Sequence, residues 1–182
     1  MDTIMQFRAG TKVLLIFLGV IWFSEIALSQ QATQSSTVIV SSPDGNYQAC
    51  WVDVITTPRA PARRLIFVVD VGLNKLLFTH CTFQRNTGAV WNGRSTGCAI
   101  FDAPDNANVY LWVLTKSREP GSHEWIEKKI DVEKLASQRM PEVFAQNPVR
   151  MGLEKMNWKN DEALEIELIV NNLPLTLTIP TI

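Results

Sequence analysis

The chain has 182 residues, with 17 Lys and Arg against 18 Asp and Glu, and a formal charge of −1. That balance lacks the basic excess needed to hold a polyphosphate backbone, so no nucleic-acid partner is expected. Two histidines and three cysteines without a CxxC spacing give no zinc motif, and neither a metal nor any other cofactor is expected.

Residues 1–29 read as a secretory signal. Arg8 and Lys12 precede an apolar run from Val13 to Phe23, and Ala27-Leu28-Ser29 makes a small-x-small cleavage site before Gln30. The run is shorter than the about 20 residues of an ordinary membrane span. An uncleaved anchor is the alternative, and it would be the chain's hold on a membrane. The expected location is outside the cytoplasm, in the periplasm or the extracellular space. Residues 30–37 (QQATQSST) form a polar, flexible leader, and residues 38–182 are one β-rich domain's worth of chain.

Val38-Ile39-Val40 starts the first strand, and Ser41-Ser42-Pro43-Asp44-Gly45 is a turn in which Pro presets one backbone angle and Gly accepts positive φ. Tyr47 to Ile55 is the next strand, with Ala49 and Trp51 inward. Thr56 to Arg64 reads as a loop, because two prolines and three arginines argue against a strand. Leu65 to Val71 is almost wholly apolar and predicts a strand buried on both faces. A turn at Gly72 to Lys75 leads to a fourth strand through Leu76-Leu77-Phe78 toward His80. A strand ending at Ala89-Val90-Trp91, a polar turn, a strand Cys98 to Phe101, an Asp- and Asn-rich loop and a strand Val109 to Leu114 follow. His123 to Ile130 is a further strand. The period then changes: Asp131 caps a helix with Val132, Leu135, Ala136 and Met140 on one face, and Pro141 opens a second short turn through Phe144, so one helical insertion is expected near 131–146. Finally Leu164, Ile166, Leu168 and Val170 alternate with polar residues, Asn171-Asn172 suits a tight hairpin turn, and Leu175, Leu177 and Ile179 return.

Three places share this layout of strand, polar turn, strand, loop, strand. Aligning Ser41 to Gly45 with Trp91 to Ser95 and Trp158 to Glu162 makes Asp44, Arg94 and Asp161 equivalent, at spacings of 50 and 67 residues. The first lies near the about 40–50 residue period of propeller blades, and the second exceeds it by the length of the helical insertion. The segment SSPDGNYQACWV followed by LIFVVDVGLNKLLF resembles the repeat of TolB-type and related PD40 β-propellers. Pro43, Asp44 and Gly45 match its turn and Asp70 its third-strand end; the later copies keep Trp91, and Trp158 with Asp161. The stretch WNGRSTGCAIFDAPDNANVYLW is similar to small exported bacterial proteins that carry such repeats. A closed propeller takes about four or more blades, and three repeats fall short of that. The expected fold is therefore mainly β: antiparallel sheets from about three blade-like repeats, as an incomplete propeller or sandwich-like domain with the helix over an open face. Closure by a second copy, or cover by another protein, are the other ways to complete it.

The candidate chemistry is sparse. Gly93-Arg94-Ser95-Thr96-Gly97 matches the G-x-S-x-G of hydrolases, and Asp102 and His123 follow in the right order. A strand rather than a helix is expected after this Ser, and a two-glycine turn is what a hairpin needs anyway. Asp102, Asp105, Asn106 and Asn108 offer oxygens to Ca²⁺ but lack the EF-hand order, and a solvated Asx turn accounts for them. Arg59, Arg63 and Arg64 make either an anion patch or a plain exposed loop. Trp51, Trp91 and Trp112 fit a core, while Trp125 and Trp158, flanked by charged residues, are candidates for a carbohydrate- or peptide-binding surface. Cys50 and Cys98 fall on equivalent strands and make one possible disulfide; Cys81 with Cys98, or three reduced thiols, fit as well. The reading reached is a non-enzymatic protein-interaction module of the cell envelope, whose partner is another envelope protein or a second copy. The alternatives are a small serine hydrolase using Ser95 and His123, or a sugar or peptide binder using exposed tryptophan.

Overall fold

The computed structural model describes residues 37–54, 63–83, 86–105, 107–146 and 148–181. The signal at 1–29, the leader from 30 to 36, Arg59 and Asn106 lie outside the described residues. The chain runs as strands β1 (Thr37–Ser41), β2 (Tyr47–Val54), β3 (Arg63–Asp70), β4 (Lys75–Phe83), β5 (Asn86–Trp91), β6 (Gly97–Ala103), β7 (Tyr110–Lys116) and β8 (Trp125–Ile130). Helices α1 (Val132–Arg139) and α2 (Pro141–Phe144) follow, then β9 (Met151–Asn160), β10 (Ala163–Val170) and β11 (Leu173–Pro180). Each repeat is a meander: β1-β2-β3-β4, β5-β6-β7-β8 and β9-β10-β11 form three separate antiparallel sheets. Among the described residues the architecture is thus mainly β, with three blade-like sheets, no closed barrel, and the helical insertion between the second and third.

The second sheet is the middle layer, and its strands show why. Successive side chains of a strand point to opposite faces. On one face Cys98, Ile100, Trp112 and Leu114 pack with Ala49, Trp51, Ile66, Val68 and Phe78 of the first sheet. On the other, Ala99, Leu111, Val113 and Ile130 pack with Met156, Leu164, Ile166, Leu168 and Val170 of the third. Both faces being covered, β6 is apolar from Cys98 to Phe101 and β7 from Tyr110 to Leu114. The helices seal this second seam through Val132, Ala136 and Val143. Asp131 caps α1 as expected, its Oδ1 accepting from Lys134 N at 2.9 Å, and Pro141 starts α2 at the position where its missing N–H costs nothing.

The repeat equivalence at spacing 50 holds in the backbone of the turn. Ser42 N donates to Tyr47 O at 2.9 Å and Asn92 N donates to Gly97 O at 2.9 Å. The side chains repeat the pattern: Ser42 Oγ accepts from Tyr47 N at 3.0 Å, and Asn92 Oδ1 from Gly97 N at 3.1 Å. Tryptophan ties each sheet to the one before it. Trp91 Nε1 donates to Val40 O at 2.9 Å, and Trp158 Nε1 donates to Val90 O at 3.0 Å.

Several expectations need correction. Arg63 and Arg64 are not loop residues but open β3, pairing with Phe83 and Thr82. Thr37 belongs to β1 rather than to the leader. The third repeat replaces the five-residue turn of the first two with a two-residue one at Asp161-Glu162, since Asn160 pairs with Ala163. Strand β9 was not legible as a strand, because register shifts opposite Ala163/Leu164 and Glu167/Leu168 break its alternation. Leu153, Met156 and Trp158 therefore share the core-facing side despite an uneven spacing.

Candidate functional site

Ser95, Asp102 and His123 are not assembled. Ser95 sits in the β5–β6 turn, buried and at φ 59°. It stands 50 residues after Gly45, which has φ 75° in the corresponding turn. The left-handed backbone is thus what this turn demands in both copies. Its hydroxyl is occupied, Oγ accepting from Asp44 N at 3.0 Å. Asp102 lies five residues beyond Gly97, roughly 17 Å along β6 at the usual strand rise. His123 is exposed in the loop before β8.

Asp102 instead meets His80. Its carboxylate is sealed between the first and second sheets, and neither oxygen has a well-formed hydrogen bond. His80 Nε2, reaching over from β4, stands 3.4 Å from Oδ2, with its side chain 29% exposed at the rim. The imidazole also lies against Trp112, ring centroids 4.4 Å apart. Beside this pair, Arg64 crosses the same seam. Its Nε and Nη2 grip the Asp53 carboxylate at 2.6 and 3.0 Å, and Nη1 donates to Thr87 Oγ1 on β5 at 2.8 Å. Burial pushes the Asp102 carboxyl above its ordinary value, against the opposing pull of Thr82, His80 and Arg64. A carboxyl of this kind keeps its proton at pH values where exposed carboxyls have lost theirs, and His80 stands between it and the rim of the seam. The nearest cysteine in sequence, Cys81, is on the alternate, outer face of β4 and is exposed.

The sequence did not single out His80, Asp53 or Thr82. The one signal available was polarity: Asp53 and Asp102 are the charged residues of β2 and β6, and a buried polar residue needs a partner.

The remaining candidates are placed as follows. Trp51 and Trp112 are buried. Trp91 and Trp125 are half-buried around Tyr47, whose ring lies 5.9 Å from Trp91 and 4.9 Å edge-on from Trp125. Trp158 is half-buried in the second seam, so close to Gly97 that a Cβ there would lie 2.8 Å from its ring. Asp105 closes a local Asx turn, Oδ1 accepting from Ala107 N and Asn108 N at 2.8 and 2.7 Å. Cys50, Cys81 and Cys98 are free thiols. Ala49 and Trp51 face the second sheet, so strand alternation turns Cys50 away from Cys98. Burial raises the Cys50 thiol to about 11 and raises Cys98 further. Among the described residues no group of three or more His, Cys, Asp or Glu is placed to hold a metal. No helix among them is long and apolar enough to cross a membrane.

No protein-family model matches the chain, and no curated protein matches it.

Proposed function

We propose that this chain is an exported, non-enzymatic protein-interaction module, built from propeller-like repeats of the TolB or PD40 kind, that binds through its first sheet. One observation carries the reading: the two ends of the three-sheet stack differ. Eight large hydrophobic side chains are exposed among the described residues, and six of them, Val38, Ile39, Val54, Leu73, Leu76 and Phe83, belong to the first sheet or its β3–β4 turn. Scattered exposed apolar residues are ordinary, and their concentration on one layer supports reading that layer as the side that meets a partner. The outer side of the third sheet is polar by contrast, with Glu165, Glu167, Thr176 and Thr178 paired across β10 and β11. It resembles the capping end of a repeat stack.

The test is affinity purification from envelope and medium fractions after mild cross-linking, with Leu76→Glu and Val54→Lys as controls. Recovery of a defined partner, or of a second copy, that both controls lose supports the reading. A bare chain in every fraction, or a partner indifferent to both substitutions, overturns it. Labelling by a serine-directed probe that Ser95→Ala abolishes would overturn the non-enzymatic part.

A further inference from the structure

We infer that the apolar run at residues 13–23 covers the outer face of the first sheet in the unprocessed chain, and that its removal bares this face for a partner. The cover follows from burial alone, and the release rests on the reading of the first sheet as the contact layer.

Ala49, Trp51, Ile66 and Val68 point inward to the second sheet. The alternate residues, Gln48, Cys50, Val52 and Val54 of β2 with Leu65, Phe67 and Val69 of β3, therefore point outward. The third sheet and the helices pack on the far side of the second, so no described strand or helix lies over this outward face. Its centre is nevertheless closed: Cys50 is 0% and Phe67 3% exposed, and Gln48 is buried beside them. Its rim is open at Ile39, Val54, Leu76 and Phe83. Flanking strands screen the sides of an aromatic ring but not its top, so chain must lie above Phe67.

The burial pattern identifies which segment covers it. Along β2, Cys50 is closed, Val52 half-buried and Val54 41% exposed. A cover made by residues 55–62, which join Val54 to Arg63, would close Val54 first. The segments 84–85, 106, 147 and 182 are only one or two residues long. Residues 1–36 remain, and they enter the sheet at β1, beside β2. Buried Gln48 Oε1 has no hydrogen-bond partner, as expected under an apolar cover and not under a polar one. Residues 24–36 are rich in Ser and Gln, whereas 13–23 read VLLIFLGVIWF, without a charge or an amide. Even at the helical rise this run spans about 16 Å, enough to cross the roughly 14 Å from β1 to β4. Loss of residues 1–29 on export then uncovers Cys50 and Phe67 inside the apolar rim, and binding through this face is confined to the processed chain.

The test is maleimide labelling read by mass spectrometry, because the three thiols report three places. Cys81 is exposed, Cys98 is buried between the sheets, and Cys50 is buried on the outward face. Full-length chain from a membrane-free translation system is compared with full-length Leu15→Asp/Ile21→Asp and with the chain purified from the cells that make it. Cys50 should react roughly tenfold faster or more in the double variant and in the processed chain than in full-length wild type. Cys81 should stay fast and Cys98 slow in all three. Slow Cys98 shows that the stack is folded, and Ile21→Asp alone replaces a double variant that loses it. Cys50 equally protected in all three, or fast in full-length wild type, overturns the inference. A chain that keeps residues 1–29 in cells, or a partner captured equally by full-length and processed chains, overturns the release. A bared Cys50 with no partner captured leaves the cover standing and sinks the interaction reading.

Discussion

Replacing Trp158 by Phe removes the Nε1–H that the Val90 carbonyl accepts across the seam. We expect a loss of about 1–2 kcal/mol in urea unfolding, with the denaturant slope unchanged. Trp158→Ala, which also empties the space against Gly97, should cost about 3–5 kcal/mol. An unchanged midpoint for the Phe variant would mean that the ring packs but the bond contributes nothing. Asp102 calls for the opposite kind of substitution. Its carboxyl titrates higher in the folded chain than the ordinary 3.8, because burial penalises the charge. The folded state therefore holds the proton longer than the unfolded state does. Stability from this group is full below the unfolded value and is lost as pH rises through the folded one. Asp102→Asn stays neutral throughout, so it should be no more stable than wild type in acid and more stable at neutral pH. Urea midpoints measured across that range check it; a variant weaker at neutral pH would show that the charged Asp102–His80 pair stabilises the seam.

The β10–β11 hairpin turns on two residues with positive φ, Asn171 at 48° and Asn172 at 68°. That geometry is the tight turn whose twist matches the flanking strands, and Asn tolerates it while a β-branched residue does not. Asn171 also has a tertiary task, its Oδ1 accepting from Arg150 N at 2.7 Å, so Asn172 is the position to vary. Asn172→Gly should be neutral or stabilising by a few tenths of a kcal/mol, and Asn172→Val should cost about 1–2 kcal/mol. Thermal unfolding of both variants decides it, and equal effects would show that the turn does not depend on this angle. The contrast with β9 is instructive at the same scale. A regular hairpin with alternating Leu and Glu declares itself, whereas a strand with two irregularities scrambles the pattern by which strands are recognised.

The middle sheet is covered on both faces and the first sheet on one of them by its neighbour. Opening should follow that order. In hydrogen exchange followed by mass spectrometry, β6 and β7 should be the last strands to exchange. Strand β1, with four of its five residues exposed, should be the first. Fast exchange in β6 would mean that the three sheets open independently rather than as a stack. The same layering explains the two polar crossings of the first seam. Arg64 with Asp53 and Thr87, and His80 with Asp102, join sheets that otherwise meet through apolar side chains. Polar groups there cost desolvation, which the Arg64 hydrogen bonds to Asp53 and Thr87 offset.

By itself the sequence determined the strand-rich composition, the repeat spacing, the turn residues, the helix cap at Asp131 and the final hairpin. These depend on neighbours a few residues apart, through the period of two in strands, the angles open to Gly, Pro and Asn, and the unpaired N–H groups at a helix start. Only the tertiary structure decided that Asp102 meets His80 rather than His123. It also decided that Arg64 is a strand residue bridging two sheets, and that Trp158 closes a seam. Those pairings join residues many positions apart across different sheets. They follow from how the sheets stack and where β9 shifts register, which no local pattern in the chain encodes.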